Sequence, residues 1–139
     1  MVAATSIARA QQIVLGRIDA ALAPHGLTFS RFEALALLHF SRAGALPMGK
    51  IGERLQVHPT SVTNTVTRLE RDGLVRRVPS ERDRRTVLAE ITPLGRRTVD
   101  AAAAALVDAG FGLDGLPDDA VRRVHEAILP LRRAAGDFG

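Results

Sequence analysis

The chain contains no cysteine, which excludes a disulfide framework, a thiolate metal site and a thiol redox sensor. Its four histidines, His25, His39, His58 and His125, are spread too widely for any recognised ligand spacing. No acidic pair accompanies them in the way a zinc or iron motif requires, so neither a metal nor another cofactor is expected. A glycine-rich phosphate loop is missing, and the serines and threonines do not stand beside a histidine and an acid. With no catalytic constellation, an enzyme is not expected. Long apolar runs are missing as well. The longest, residues 101–107, is far too short to cross a bilayer, and the opening MVAATSIARA lacks a run of signal-peptide length. A cytoplasmic protein with no membrane partner is the expectation. Lysine is almost absent too: Lys50 is the only one, and the formal net charge of +4 is carried by arginine, whose planar fork binds phosphate or guanine bidentately.

What is present fits a single folding unit. A chain of 139 residues suffices for one domain with a real core and is too short for a regulator joined to a separate enzyme. No long linker or internal repeat divides it, and the alanine run at 101–105 is its only low-complexity segment.

The most informative stretch begins at Val57. Pro59 suits the first position of a helix, and Val62, Val66 and Leu69, spaced by four and three, put one apolar stripe on it. The remaining angles carry Thr60, Ser61, Thr63, Asn64, Thr65, Thr67 and Arg68. Hydroxyl and amide residues are mediocre helix formers, so helix stability does not explain their choice. Short polar side chains let a backbone approach phosphates and base edges. Upstream, Met48, Ile51 and Leu55 share a helical face, and Gln56-Val57-His58 makes a short break before the second helix. Helix, tight turn, helix is the arrangement of a helix-turn-helix whose second member reads DNA. His58 falls at the N-cap, with local capping or phosphate contact as its expected role.

Asp72-Gly73 closes the reader helix, and Leu74 to Val78 begins an extended run answered by Thr86 to Ile91. Between them Pro79 to Arg85 forms a tip holding Arg82, Arg84 and Arg85. An arginine-tipped ribbon suits the narrow minor groove, whose negative potential attracts inserted guanidinium. Arg68, Arg71, Arg76 and Arg77 add to the local positive field, although Glu70, Asp72, Glu81 and Asp83 interleave with it. Thr92-Pro93 caps the next helix.

These motifs together resemble the MarR-type winged helix-turn-helix transcriptional regulators. The resemblance rests on the reader helix followed by RLERDGLVRR, on the D-x-R wing pattern at Asp83-Arg84-Arg85, and on the ITPLG after the second wing strand. It implies a mainly α, α+β fold with residues 28–92 as the winged helix-turn-helix, and 1–27 and 93–139 as dimerisation helices. It implies that Asp83 holds the wing arginines through a salt bridge, that Arg84 or Arg85 enters the minor groove, and that the helix from Pro59 lies in the major groove. The DNA-contacting set is then Thr60, Ser61, Thr63, Asn64, Thr65, Arg68, Arg82, Asp83, Arg84 and Arg85, with Arg77 supporting the wing. Thr67 departs from the pattern, since many relatives carry an acid there, and this opens the question of how the reader helix is held.

Outside the reading head, Ile7, Val14, Ile18 and Leu22 mark a first amphipathic helix ended by Pro24-His25-Gly26. Phe32, Leu35 and Leu38 mark a second, with Ser30 to Glu33 at capping-box spacing. A helix after Pro93 is expected to break at Gly110, Gly112 and Gly115, and a last one starts near Pro117, with Pro130 weakening its final turn. The terminal helices have more apolar surface than a head of this size can cover, which predicts a homodimer. Two reader helices would then meet an inverted repeat with half-sites about ten base pairs apart. The resemblance further implies a small-molecule pocket between dimer module and head, lined by the first, second and fifth helices, with Arg17, His25, Phe32 and His39 as candidates and an aromatic or phenolic effector relieving repression. The competing expectation is a winged-helix protein-interaction module that reads no bases.

Overall fold

The computed structural model describes residues 1–137. Helix α1 (Val2–Leu22) turns Ile18 and Leu22 into the core and leaves its N-terminal half exposed. A single 3-10 turn, Ala23–His25, and a left-handed Gly26 stop it. Helix α2 (Phe29–Phe40) is capped by Thr28, whose hydroxyl accepts from the Arg31 N–H at 3.4 Å. The cap therefore sits two residues before the expected Ser30, and Glu33 is released from capping to face a cavity.

A strand absent from the sequence expectation follows. Strand β1 (Ala45–Pro47) is three residues long, too short for alternation to announce it. Helix α3 (Met48–Leu55) buries Ile51 and ends at Gln56, a non-glycine residue in the left-handed region (φ 56°). Helix α4 (Pro59–Arg71) turns Val62, Val66 and Leu69 inward as its spacing predicts. Strands β2 (Val75–Pro79) and β3 (Val87–Ile91) form the wing. The sheet order is β1-β3-β2, antiparallel throughout, with Ala45 and Arg76 both opposite Glu90. Helix α5 (Pro93–Asp108) leads through a second 3-10 turn to α6 (Asp118–Ala134), which runs on through Pro130.

One continuous core joins head and base. Leu35 and Leu38 of α2, Ile51 of α3, Val66 and Leu69 of α4, Ala89 and Ile91 of β3, and Val99 and Leu106 of α5 are all buried in it. Each fully buried aliphatic side chain contributes on the order of 1.5–3 kcal/mol. Phe32 packs against this core, half-buried.

The ITPLG segment is the joint between wing and α5. The Thr92 hydroxyl donates to the Gly73 carbonyl at 2.7 Å and accepts from the Gly95 N–H at 3.0 Å, while the Thr92 N–H donates to the Leu74 carbonyl at 3.0 Å. Gly95 lies so close to β2 that a Cβ would stand 2.2 Å from the Leu74 carbonyl oxygen. Only glycine fits there. Helix α6 differs from the rest: none of its residues is buried, and Val124 and Leu131 are 52% and 65% exposed. No helix among the described residues is long and apolar enough to cross a membrane.

Candidate nucleic-acid interface

The start of α4 is fixed by His58, whose Nδ1 accepts from the Thr60 N–H at 3.1 Å. This fills the N-cap role with an imidazole and satisfies one of the helix's free N–H groups. Once the apolar stripe is buried, helical rotation sends Thr60, Thr63, Asn64, Thr67 and Arg68 to solvent. Arg68 pairs with Asp72 at 3.5 Å, and Thr63 donates to the Pro59 carbonyl at 3.1 Å.

Thr65 does not share that outer face. It is half-buried and, with Ser61, lines a cavity on the inner flank of α4. Ser61 and Thr65 lie one turn apart beside the apolar stripe: Thr65 is half-buried against the cavity, whereas Ser61 stays exposed at its rim.

Arg77 of β2 binds the wing to the reader helix. Its Nη1 donates to Glu70 Oε1 at 2.7 Å, its backbone N–H to Glu70 Oε2 at 3.0 Å, and its Nη2 to Thr67 Oγ1 at 2.8 Å and to the Thr63 carbonyl at 3.5 Å. Thr67, standing where an acid is more usual, thus accepts from the same guanidinium, and Glu70 supplies the charge three residues on. The Arg77 hydrogen bonds, backbone first and side chain second, hold the Glu70 carboxyl below its ordinary range. Next to it Arg76 crosses to Glu90 through Nε at 2.8 Å and also through Nη2. Because the residues Arg77 grips are on the exposed side of α4, the wing departs from the flank of that face.

At the tip, Asp83 acts differently from expectation. Its Oδ1 accepts from the Arg85 N–H at 3.0 Å and its Oδ2 from the Thr86 hydroxyl at 3.3 Å, and it takes part in no ion pair among the described residues. Asp83 shapes the turn through the backbone, because a short carboxylate reaches the N–H two residues on more readily than a mobile guanidinium. Arg82, Arg84 and Arg85 are exposed and outside every ion pair among the described residues.

The four proposed pocket residues are not brought together. Arg17 donates to the Gly112 and Asp114 carbonyls at 3.2 and 3.3 Å, closing the α5–α6 link onto α1. His39 contacts Asp100 at 3.1 Å and Arg96 at 3.4 Å. Phe32 joins the core, and His25 ends the 3-10 turn. The cavity between base and head, about 450 Å³, is instead walled by α1, α2, α3 and α4, with Gln11, Asp19, Phe29, Glu33, Leu55 and Thr65 among its lining. The first and second helices were expected there; α5 does not contribute. Burial raises the Glu33 carboxyl above its ordinary value. In the sequence Glu70 stands only as an acid among arginines and Glu33 only at capping-box spacing, and nothing marks Asp19, because their partners and the void arise only from packing.

Residues 25–86 match the family model described as MarR family. Among curated proteins, the chain is 34% identical over 93 residues to the transcriptional activatory protein BadR of Rhodopseudomonas palustris, covering 66% of this chain and 53% of BadR. The match spans between 44% and 61% of the length of the curated relatives. Among solved structures, Sco5413, a MarR family transcriptional regulator from Streptomyces coelicolor, is 54% identical, with a TM-score of 0.94 over 100% of this chain and 96% of that one. Sco3205 from the same organism, a MarR family regulator solved in complex with DNA, shares the fold at a TM-score of 0.86, covering 96% of this chain and 85% of that one at 22% identity.

Proposed function

The chain belongs to the MarR family of transcriptional regulators, and from that premise we propose that it acts in the cytoplasm as a homodimeric repressor of an inverted-repeat operator, released by a small molecule. The observation that carries this reading is the Arg77 clamp. It fixes an arginine-tipped wing beside a helix face of hydroxyls and amides, so both grooves of one duplex are addressed from one rigid head. Thr60, Ser61, Thr63, Asn64 and Arg68 are the major-groove set, and Arg82, Arg84 and Arg85 the minor-groove set, with Asp83 shaping their turn. Thr65, set back toward the cavity, supports the helix from behind.

The dimer reading is supported by surface left uncovered in one protomer. Val2, Ile7 and Ile13 of α1, Val107 of α5, Phe111 and Leu116 of the link, and Val124 and Leu131 of α6 are all exposed. An amphipathic helix with no buried residue needs a second apolar surface, and a two-fold partner offers the same faces in return. The cavity behind Ser61 and Thr65 is the effector site. A molecule there changes operator affinity only by fitting one position of the reader helix better than another.

Selection of bound fragments from genomic DNA with purified protein tests the reading. Recovery of a two-fold symmetric sequence, with half-sites about ten base pairs apart, is the expected result. Enrichment of no common sequence, or of a single asymmetric half-site by a monomer, overturns it.

A further inference from the structure

The cavity behind the reader helix has a charge character that selects its occupant. Its wall is apolar at Leu15, Phe29, Ile51 and Leu55, and among the described residues the only charged side chains lining it are Asp19 and Glu33, with no lysine, arginine or histidine. The cation next in sequence, Arg31, gives its Nη2 to the Gly26 carbonyl at 3.3 Å and is outside the lining. One Asp19 oxygen already accepts from the Phe29 N–H at 2.9 Å, whereas the half-buried Glu33 carboxyl makes no hydrogen bond or ion pair among the described residues.

We infer that this cavity takes a lipophilic organic cation, an amine or ammonium group borne on an apolar body of about two fused rings, with the positive group at Glu33 and Asp19. An anion would meet two carboxylates and no opposite charge, and like charges repel. A cation gains charge-assisted hydrogen bonds from Glu33 and can lie over the face of Phe29. The volume of about 450 Å³ falls within the range of small-ligand sites. Burial, which disfavours the Glu33 carboxylate when the cavity is empty, is offset once a positive group sits beside it. Ser61 and Thr65 of the reader helix form part of the same wall, so an occupant presses on the DNA-reading element from behind.

The inference rests on the effector reading of this cavity, and the test separates the two. Three probes of one shape are titrated into the full chain by calorimetry: 2-naphthylmethylammonium, 2-naphthylmethanol and 2-naphthoate. Each is also added to the protein–operator complex, with release followed by fluorescence anisotropy. The cation is expected to bind about tenfold or more tightly than the alcohol, with the carboxylate weakest. Glu33→Gln is expected to erase most of the preference for cation over alcohol while leaving alcohol binding in place. Tightest binding of the naphthoate, equal binding of all three, or no binding of any at millimolar concentration overturns the inference. Naphthoate-driven operator release sinks the charge rule and keeps the effector reading. Cation-selective binding that leaves the operator complex intact does the reverse.

Discussion

Arg77 and Glu70 face each other between β2 and α4 through two bonds, one from the guanidinium at 2.7 Å and one from the backbone N–H at 3.0 Å. The same guanidinium reaches Thr67, so one side chain sets the angle between the wing and the reader helix. Replacing it tests whether that angle governs binding. Arg77→Ala is expected to weaken operator binding by about tenfold and lower the melting temperature by a few degrees, leaving dimer dissociation unchanged. Arg77→Lys, a point charge without the fork, should fall between the two. Anisotropy, differential scanning calorimetry and sedimentation read the three quantities.

The clamp carries a pH signature. Glu70 is held below its ordinary value of 4.5, so the folded protein binds fewer protons there than the unfolded chain. The contribution is fully present above 4.5 and is lost as pH falls through the lowered value. Glu70→Gln should therefore reduce stability near neutrality and flatten the acid limb of the unfolding curve. A melting-temperature profile from pH 3 to pH 7 that is unchanged by the substitution counts against the clamp.

Glu33 has the opposite sign. Its carboxyl is raised above 4.5 by burial, so keeping it ionised costs stability, and that cost grows as pH rises from 4.5 through the raised value. Glu33→Gln is expected to raise the melting temperature at pH 7, with the gain vanishing near pH 4. Parallel thermal melts at the two pH values measure it.

Gly95 is a packing requirement. Because a Cβ there would meet backbone oxygen at 2.2 Å, Gly95→Ala must push α5 away from the start of β2. A loss of about 1–3 kcal/mol is expected, despite the higher helix propensity of alanine. Urea unfolding midpoints provide the check, with Gly49→Ala, where nothing lies within 4 Å, as the control.

The two halves of the DNA surface should separate by assay. Arg84→Ala with Arg85→Ala is expected to weaken binding to all sequences and reduce the log–log salt slope by about two. Asn64→Ala and Ser61→Ala should relax base preference, at about 1–3 kcal/mol for a lost bidentate contact. If the Asn64 variant discriminates operator from scrambled DNA as well as wild type does, Asn64 is not a reader.

Much of this head was legible before folding. The spacing of Val62, Val66 and Leu69 fixed which face of α4 turns inward, and Gly73 and Thr92 marked where the wing begins and ends. Three things were not legible, each for a physical reason. Strand β1 is held by its pairing with β3, so its three residues carry no local pattern. The answer to Thr67 depends on Arg77, ten residues away on another element. The cavity is a void, and no sequence term encodes what four helices fail to fill; Thr65, polar and placed among readers, was assigned outward for lack of it.

The bonds that Thr92 makes in both directions tie the foot of the hairpin and the opening turn of α5 into one knot. Such a knot makes the wing and the first turn of α5 one mechanical piece, so a change in the direction of that helix carries the hairpin with it.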